Sequence, residues 1–391
     1  MSERLGLKIL HIASFVGNIG DNANHQGVRR TLSERFSGIH TYTELEIRKC
    51  YRIYTGGDRW EFDLQFASLA NQHDLIIIGG GNFFEPWLPE SSTGTTIDLS
   101  KEILDKIHSP ILFYGVGFDT YKHCPAECLQ KFQDFVVDVS ERSNVILTFR
   151  NDGSLKNYKK TYGAMSEAID VVPDGGFFYQ PDCKLNFPFD SKNEYWGINL
   201  ASDMKDVRFP EGGKGNITWE GFLRGFAAVL STKLTEQENL QLIFFPHIYK
   251  DLEAISELLA YMDDRFCRDR IQTAPYSYGW DGADKVFSLY NSCSLIMGMR
   301  FHTNVCAMGM NIPSIGLSSS PKLEDLYEEI GLRDRIVRIN KDDCMQKLLF
   351  LLSKMNEKPH IFRQQNNTVV DRLRNDVGLF WDKLALLLDK S

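Results

Sequence analysis

The sequence lacks long apolar runs and an excess of basic charge, and each lack excludes a class of protein. No apolar run approaches the roughly 18–20 residues that a bilayer-spanning helix needs. Lys8 and His11 interrupt the stretch 5–16, which we interpret as a first strand and not a signal peptide, so a cytoplasmic protein is expected. With 44 Lys and Arg against 52 Asp and Glu, the formal net charge is -8. A surface that binds nucleic acid is therefore not expected.

Cysteines and metal-binding motifs are equally sparse. The eight cysteines are dispersed, and a chain of 391 residues needs no disulfides for stability, so reduced thiols are expected. Cys124 and Cys128 form a lone CxxxC without the further ligands of a zinc or iron–sulfur site. The sequence contains no CxxC, HExxH or P-loop motif. We therefore expect no metal, no resident cofactor and no P-loop nucleotide site.

What the sequence does contain is an alternation of short apolar runs with segments of helical period. Runs of four to eight residues rich in Ile, Val and Phe are typical of parallel strands that are buried on both faces. A length of 391 residues also exceeds what one hydrophobic core usually sustains, which predicts two domains. The predicted strands are 7–15, 41–47, 74–78, 110–116, 145–150, 168–172, 195–200, 240–245, 270–273, 294–299, 314–317 and 335–339.

This pattern predicts an α/β fold of two Rossmann-like, doubly wound parallel-sheet domains that face each other across a cleft. Residues 181–192 combine prolines with polar residues and show little periodicity, so the linker is placed there. The predicted domains are 1–182 and 193–360, and a helix over 361–391 is expected to pack back on the first domain. Ligand sites are expected at the carboxyl ends of the strands, in the crevice between the domains.

A glycine-containing loop follows the first predicted strand and opens a helix. It runs from Gly17 to Asp21, and Asp21 or Asn22 is the expected N-cap. Free N–H groups and the positive end of the helix dipole could hold a phosphate or carboxylate there. An ordinary strand-to-helix turn explains the loop equally well. The candidate binding residues are Asn18, Gly20 and Asp21.

A second loop follows the third predicted strand. Gly79, Gly80 and Gly81 come directly after four apolar residues and are followed by Asn82. Three consecutive glycines are costly unless another group must approach the backbone closely. Gly80, Gly81 and Asn82 are therefore candidate binding residues.

Arginines close one strand in each half of the chain. Arg150 ends the strand 145–150, with Ser154 four residues later, and its planar fork suits a carboxylate or phosphate; pairing with Asp152 is the structural alternative. Arg300 and His302 follow the strand 294–299, and they share a face if that strand continues through them. A cation beside an imidazole suits anion binding combined with proton transfer.

Further polar residues follow the later strands. His247 comes just after the strand 240–245, and Ser319 and Lys322 follow the strand 314–317. All three are candidate ligand contacts. Structural roles explain each of them as readily.

Taken in order, these motifs resemble the polysaccharide pyruvyl transferase family. The resemblance rests on the two glycine loops, on Arg150 with Ser154 and on Arg300 with His302, and it spans roughly residues 8–332. It implies a GT-B-like fold and the transfer of a pyruvyl group from phosphoenolpyruvate to a sugar as a ketal. It also implies that Arg150 and Arg300 hold the donor's phosphate and carboxylate, and that His302 is the acid/base.

The implied partners are phosphoenolpyruvate and a glycan or lipid-linked sugar acceptor. A lipid-linked acceptor would bring the protein to the inner face of the membrane without insertion. Loops 56–60 and 87–96 carry aromatic residues on which a sugar could stack, but they do not identify the sugar. Formation of a homo-oligomer stays open. Two alternatives also stay open: a sugar-nucleotide glycosyltransferase of GT-B type, and a non-catalytic subunit of polysaccharide assembly.

Overall fold

All twelve predicted strands are present in the computed structural model, which describes residues 6–163, 169–182, 185, 187–210, 212 and 215–389. The predicted start of the sixth strand, at Ala168, lies outside the described residues. The strands are β1 Lys8–Ala13, β2 Thr41–Glu46, β3 Leu75–Gly79, β4 Ile111–Val116, β5 Val145–Arg150, β6 Asp170–Val172, β7 Glu194–Asn199, β8 Leu240–Phe244, β9 Ile271–Thr273, β10 Leu295–Gly298, β11 Ser314–Ser318 and β12 Ile336–Arg338.

Helices separate most of the strands. Those of the described residues are α1 Ile19–Arg35, α2 Leu64–Ala70, α3 Lys101–Leu104, α4 Ala126–Glu141, α5 Ser154–Tyr162, α6 Lys205–Arg208, α7 Trp219–Glu236, α8 Asp251–Leu259, α9 Asp264–Asp269, α10 Gly279–Ser288, α11 Phe301–Gly309, α12 Pro321–Glu329, α13 Cys344–Glu357 and α14 Pro359–Leu388. Among them, none is both long enough and apolar enough to span a membrane.

The N-cap predicted for α1 was wrong. The helix begins at Ile19, so Asp21 and Asn22 already lie within its first turn. Asn18 precedes the helix, and its Oδ1 accepts a hydrogen bond from the N–H of Gly20 at 3.0 Å. An asparagine side chain in that place satisfies one of the four N–H groups that a helix start leaves without a backbone partner.

By its internal contacts the chain divides into two compact units. The first takes the described residues of Met1–Phe15, Val28–Gly175 and Leu373–Ser391, and the second those of Val16–Gly27 and Gly176–Arg372. The division therefore falls at Gly175, ahead of the predicted linker, whose residues 183, 184 and 186 lie outside the described part. The segment Val16–Gly27 counts with the second unit although it precedes most of the first in sequence.

Each unit is built on one six-stranded sheet in which every pairing is parallel. The strand order in the first unit is β2-β1-β3-β4-β5-β6, and in the second it is β12-β11-β10-β7-β8-β9. The strand order reverses direction between β1 and β3 in the first sheet and between β7 and β10 in the second. Because the connections that leave the two strands at such a reversal run to opposite faces of the sheet, a crevice opens at their carboxyl ends, and doubly wound sheets bind ligands there.

The last helix supplies part of the first unit's core. Trp381 of α14 is buried and lies parallel to the ring of Tyr114 in β4, with centroids 5.2 Å apart and planes 9° apart. Phe380 meets the same tyrosine edge-on. Burial of such large rings stabilises this unit.

We expect Trp381→Ala to lower the free energy of unfolding of the first unit by about 3–5 kcal/mol, because it leaves a cavity beside Tyr114. Urea unfolding followed by circular dichroism measures this. Leu379→Ala is the matched control, since Leu379 lies on the same helix but is 70% exposed. Equal stabilities of the two variants would contradict the role given to Trp381.

Candidate functional site

The second unit gathers polar side chains where its strand order reverses. β7 ends at Asn199 and β10 at Gly298, and these two strands are neighbours in the sheet. The backbone N–H of Arg300 donates to Oδ1 of Asn199 at 3.0 Å. This bond joins the ends of the two strands and places Arg300 directly above them.

Arg300 and His302 do not share a strand face, because the strand does not continue through them. β10 stops at Gly298, Arg300 is the extended residue before α11, and His302 lies in the first turn of that helix. Arg300 and His302 therefore both lie at the N-terminus of α11. Backbone N–H groups and the positive end of the dipole there favour an anion.

The guanidinium of Arg300 is held by two carboxylates. Its Nε donates to both oxygens of Asp251 at 3.0 and 2.9 Å, and its Nη2 donates to Oδ1 of Asp203 at 2.7 Å. Burial alone would lower the pKa of Arg300, but the bonds to Asp251 and Asp203 raise it above its ordinary value. Within the described part of the chain, Nη1 makes no hydrogen bond. Arg300 is therefore a fixed cation with one amino group left for a ligand.

Asp251 is the centre of this network. It is fully buried, and besides Arg300 its Oδ2 accepts the backbone N–H of His247 at 2.9 Å and Nδ2 of Asn199 at 3.2 Å. Asn199 also donates to the carbonyl of Phe245. One carboxylate therefore ties together the ends of β7, β8 and β10.

His302 lies against the first turn of α1. Its Nδ1 is 3.7 Å from Oδ1 of Asp21, and Nδ2 of Asn18 donates to the same oxygen at 3.2 Å. Gly20 makes this arrangement sterically feasible, because a Cβ at that position would lie 2.5 Å from Cβ of His302 and 2.6 Å from its Nδ1. The predicted residues Asn18, Gly20, Asp21 and His302 thus meet in the second unit.

His247 is buried behind these groups. Its Nε2 is 3.0 Å from the Tyr290 hydroxyl and 3.3 Å from that of Thr303, and its carbonyl accepts the N–H of Ile19 at 3.4 Å. Burial, together with the nearby charge of Arg300 and the proximity of His302, lowers the pKa of His247 well below its ordinary value. His247 is therefore a neutral ring that positions α1 and α11 at the site.

A second arginine extends the network toward the loop after β11. Arg208 donates through Nη2 to Oδ2 of Asp203 at 3.4 Å and through Nη1 to the hydroxyl of Ser319 at 3.1 Å. Burial lowers the pKa of Arg208. Lys322 lies in the first turn of α12 and is half-buried. Ser319 is thus connected to Arg300 through Arg208 and Asp203.

The glycine loop of the first unit follows β3, beside the strand-order reversal. Gly79 and Gly80 both have positive φ, 151° and 78°, and a Cβ on Gly79 would lie 2.1 Å from the carbonyl oxygen of Tyr114. Further along, Gly81 accepts the N–H of Gly117, and Nδ2 of Asn82 donates to Oδ2 of Asp119 at 2.8 Å. The three glycines predicted that some group approaches this backbone closely. At Gly79 that group is the backbone of the neighbouring strand β4.

Arg150 is also held by two carboxylates. Its Nε donates to Asp152 at 2.9 Å and its Nη1 to Asp174 at 3.2 Å, and the side chains of both aspartates are fully buried. Ser154 begins α5; its hydroxyl donates to Asp152 and accepts the N–H of Phe118 at 2.8 Å. The first-unit candidates Arg150 and Ser154 thus share one network.

Sequence reasoning missed the carboxylates and amide that hold Arg300. Asp251 had a detectable signal, because it follows His247 by four residues and begins a helix. Asn199 also had one, as a polar residue that closes an apolar strand. Asp203 had no local signal, since it meets Arg300 from 97 residues away. Among the described residues, no group of three His, Cys, Asp or Glu side chains is arranged to hold a metal ion.

Comparison with solved structures supports the fold. UDP-GlcNAc 2-epimerase from Neisseria meningitidis, bound to UDP-GlcNAc, has a TM-score of 0.53 at 12% identity, over 96% of this chain and 100% of that one. Trehalose 6-phosphate synthase from Burkholderia multivorans has 0.53 at 12%, over 99% of each chain. An Anabaena protein in complex with UDP and glucose has 0.52 at 13%, over 98% of this chain and 100% of that one. These likenesses show a GT-B-like fold.

Sequence comparison gives the family. No curated protein matches the sequence. The family model described as polysaccharide pyruvyl transferase matches residues 18–321, which include residues 18–21 of the first glycine loop, the second glycine loop, both arginine networks and the Asp21–His302 pair. The protein therefore belongs to the polysaccharide pyruvyl transferase family.

Proposed function

We propose that this protein transfers a pyruvyl group from phosphoenolpyruvate to a sugar of a cell-surface polysaccharide or its precursor, forming a ketal and releasing phosphate. Membership of the family supports a transferase. The observation that carries the finer proposal is the pairing of His302 with Asp21 beside Arg300. A titratable imidazole next to a fixed cation suits a reaction that moves a proton on an anionic substrate.

The chemistry has two additions at one carbon. A proton is delivered to the methylene carbon of phosphoenolpyruvate, which makes C2 oxocarbenium-like, and a first sugar hydroxyl adds to C2. The bond from C2 to the phosphate oxygen then breaks, and a second hydroxyl adds to complete the ketal. Of the two hydroxyl protons released, one balances the proton taken up by the methylene carbon and the other leaves with phosphate.

Each residue of the second-unit network has a task in this scheme. His302 carries the proton, and Asp21 orients its ring through Nδ1, as a carboxylate commonly does for a catalytic histidine. Arg300 presents Nη1 to the donor's phosphate or carboxylate, with the N–H groups that begin α11. Ser319 and Lys322 add a hydroxyl and an ammonium group. Such preorganised charge stabilises a leaving phosphate by several kcal/mol.

The guanidinium of Arg150 bonds Asp152 and Asp174. Its first task is to fix the loop that leads into α5. A direct contact between Arg150 and the donor stays a prediction of the family resemblance, and contacts of Gly80, Gly81, Asn82 and Ser154 with a substrate stay predictions from the sequence.

The decisive experiment is phosphate release from phosphoenolpyruvate across a panel of candidate glycans. We expect glycan-dependent release, and we expect His302→Gln to lower kcat by about 10²–10⁴-fold, because general acid–base catalysis contributes that much. His360→Gln, at an exposed histidine, is the control. Unchanged kcat in His302→Gln would contradict the acid/base role. Transfer from a UDP-sugar without any turnover of phosphoenolpyruvate would overturn the proposed function.

We expect Arg300→Lys to raise the KM for phosphoenolpyruvate by about 10–100-fold, because lysine keeps the charge and loses the planar fork that binds Asp251 and the donor together. Arg333→Lys, at an exposed arginine, controls for general effects of the substitution. Steady-state kinetics measure the change. A KM equal to that of the unaltered protein would remove Arg300 from the donor site.

We expect Gly20→Ala to lower kcat by about 10²-fold while the protein stays folded. The added Cβ would lie 2.5 Å from Cβ of His302, so the imidazole must move away from its position at the site. Gly378→Ala is the matched control, since a Cβ there meets nothing within 4 Å. Circular dichroism checks the fold. Full activity of Gly20→Ala would show that the close contact with His302 is not needed for catalysis.

A further inference from the structure

The first unit contains a pocket that neither glycine loop explains. Its volume is about 520 Å³, within the range of small-molecule sites. It lies at the carboxyl end of the edge strand β2, and its lining comes from the end of β2, the loop before α2 and α2 itself. The lining residues are Leu45, Arg59, Trp60, Glu61, Asp63, Gln65, Phe66 and Leu69.

Trp60 gives this pocket a rigid aromatic wall. Its Nε1 donates to the carbonyl of Glu46 at 3.0 Å, and its ring stacks on Phe66 with centroids 5.9 Å apart and planes 22° apart. Phe62 meets the same ring edge-on at 4.9 Å. The indole is only half-buried, so part of it stays accessible in a fixed orientation. A preorganised aromatic surface of this kind binds the apolar face of a sugar ring at little entropic cost.

The loop that carries Trp60 is also held in place. Lys49 pairs with Asp58 at 2.5 Å, the hydroxyl of Tyr54 donates to Asp58 at 2.5 Å, and the N–H of Arg59 donates to the carbonyl of Gly56 at 3.2 Å. These bonds fix the loop before any ligand arrives.

The polar side of the lining suits hydroxyl groups and disfavours anions. Arg59 and Glu61 pair at 2.9 Å, and Asp63 accepts the N–H of Phe66 while it caps α2. A planar guanidinium, carboxylate or amide group can hydrogen-bond two neighbouring hydroxyls of one sugar at the same time. With one arginine against two carboxylates, the lining has a net negative charge, which opposes phosphate and other anions.

We propose that this pocket binds a neutral saccharide unit of the glycan substrate. The assignment to the glycan substrate rests on the proposed function, whereas saccharide binding itself does not. The aromatic wall takes the ring face and the polar lining takes the hydroxyls. The net negative charge of the lining disfavours phosphoenolpyruvate and nucleotide diphosphates as its ligands.

The test is saturation-transfer NMR of the full chain, without phosphoenolpyruvate, against maltose, cellobiose, lactose and N-acetyllactosamine. We expect at least one of these neutral disaccharides to bind and UDP-glucose not to compete for the pocket. Trp60→Ala should weaken that binding about tenfold, whereas Phe350→Ala, at an aromatic residue of α13 that is 67% exposed, should leave it unchanged.

A second variant is needed because Trp60→Ala removes a ring that packs on Phe62 and Phe66 and could disturb the fold. Glu61→Ala changes an exposed side chain that pairs with Arg59, and it should weaken binding about three- to tenfold. Absence of binding by all four disaccharides, or binding that survives both Trp60→Ala and Glu61→Ala, would overturn the proposal. Because phosphoenolpyruvate is absent, saccharide binding without later turnover would contradict only the proposed function. Turnover with an unoccupied pocket would contradict only this inference.

Discussion

The arrangement of the second unit depends on one buried ion pair. Asp251 is removed from water and holds Arg300, while its second oxygen also accepts the N–H of His247 and the amide of Asn199. A buried carboxylate is tolerated only when its lone pairs are satisfied in this way. Removing one partner of such a pair typically costs about 3–5 kcal/mol, because the other charge stays buried. Each strand end that contributes to the network is therefore fixed relative to the others.

This constraint explains why the arginine is suited to bind an anion although two aspartates already hold it. A free guanidinium would have to be ordered by the ligand, at a cost in side-chain entropy. Arg300 is ordered beforehand, and Asp203 and Asp251 set the direction of its remaining amino group. The same reasoning applies to His302, whose ring is confined between Asp21 and the backbone at Gly20. The orientation of Arg300 is thus fixed by the carboxylates that neutralise it, and that of His302 by Asp21 and close packing against Gly20.

Regular features of the fold were predictable because apolar runs in parallel strands must be buried on both faces. Runs such as 75–78 leave little choice of structure, and β3 is buried at every position. The boundary at 299–302 was not predictable in the same way, because three or four residues fit either a strand or a helix start. A bond from the N–H of Arg300 to Asn199, about 100 residues away, decides it. Asp203 likewise acts through a partner distant in sequence, which local patterns do not reveal.

The first unit is discontinuous, and this has a consequence for how the protein is made. Its sheet is complete by Gly175, but the ring that covers Tyr114 belongs to Trp381. During translation, the whole segment Gly176–Arg372 leaves the ribosome before that ring does. The earlier sheet must therefore wait with an apolar surface uncovered, and chaperone binding to the nascent chain should concentrate on this surface until synthesis reaches α14.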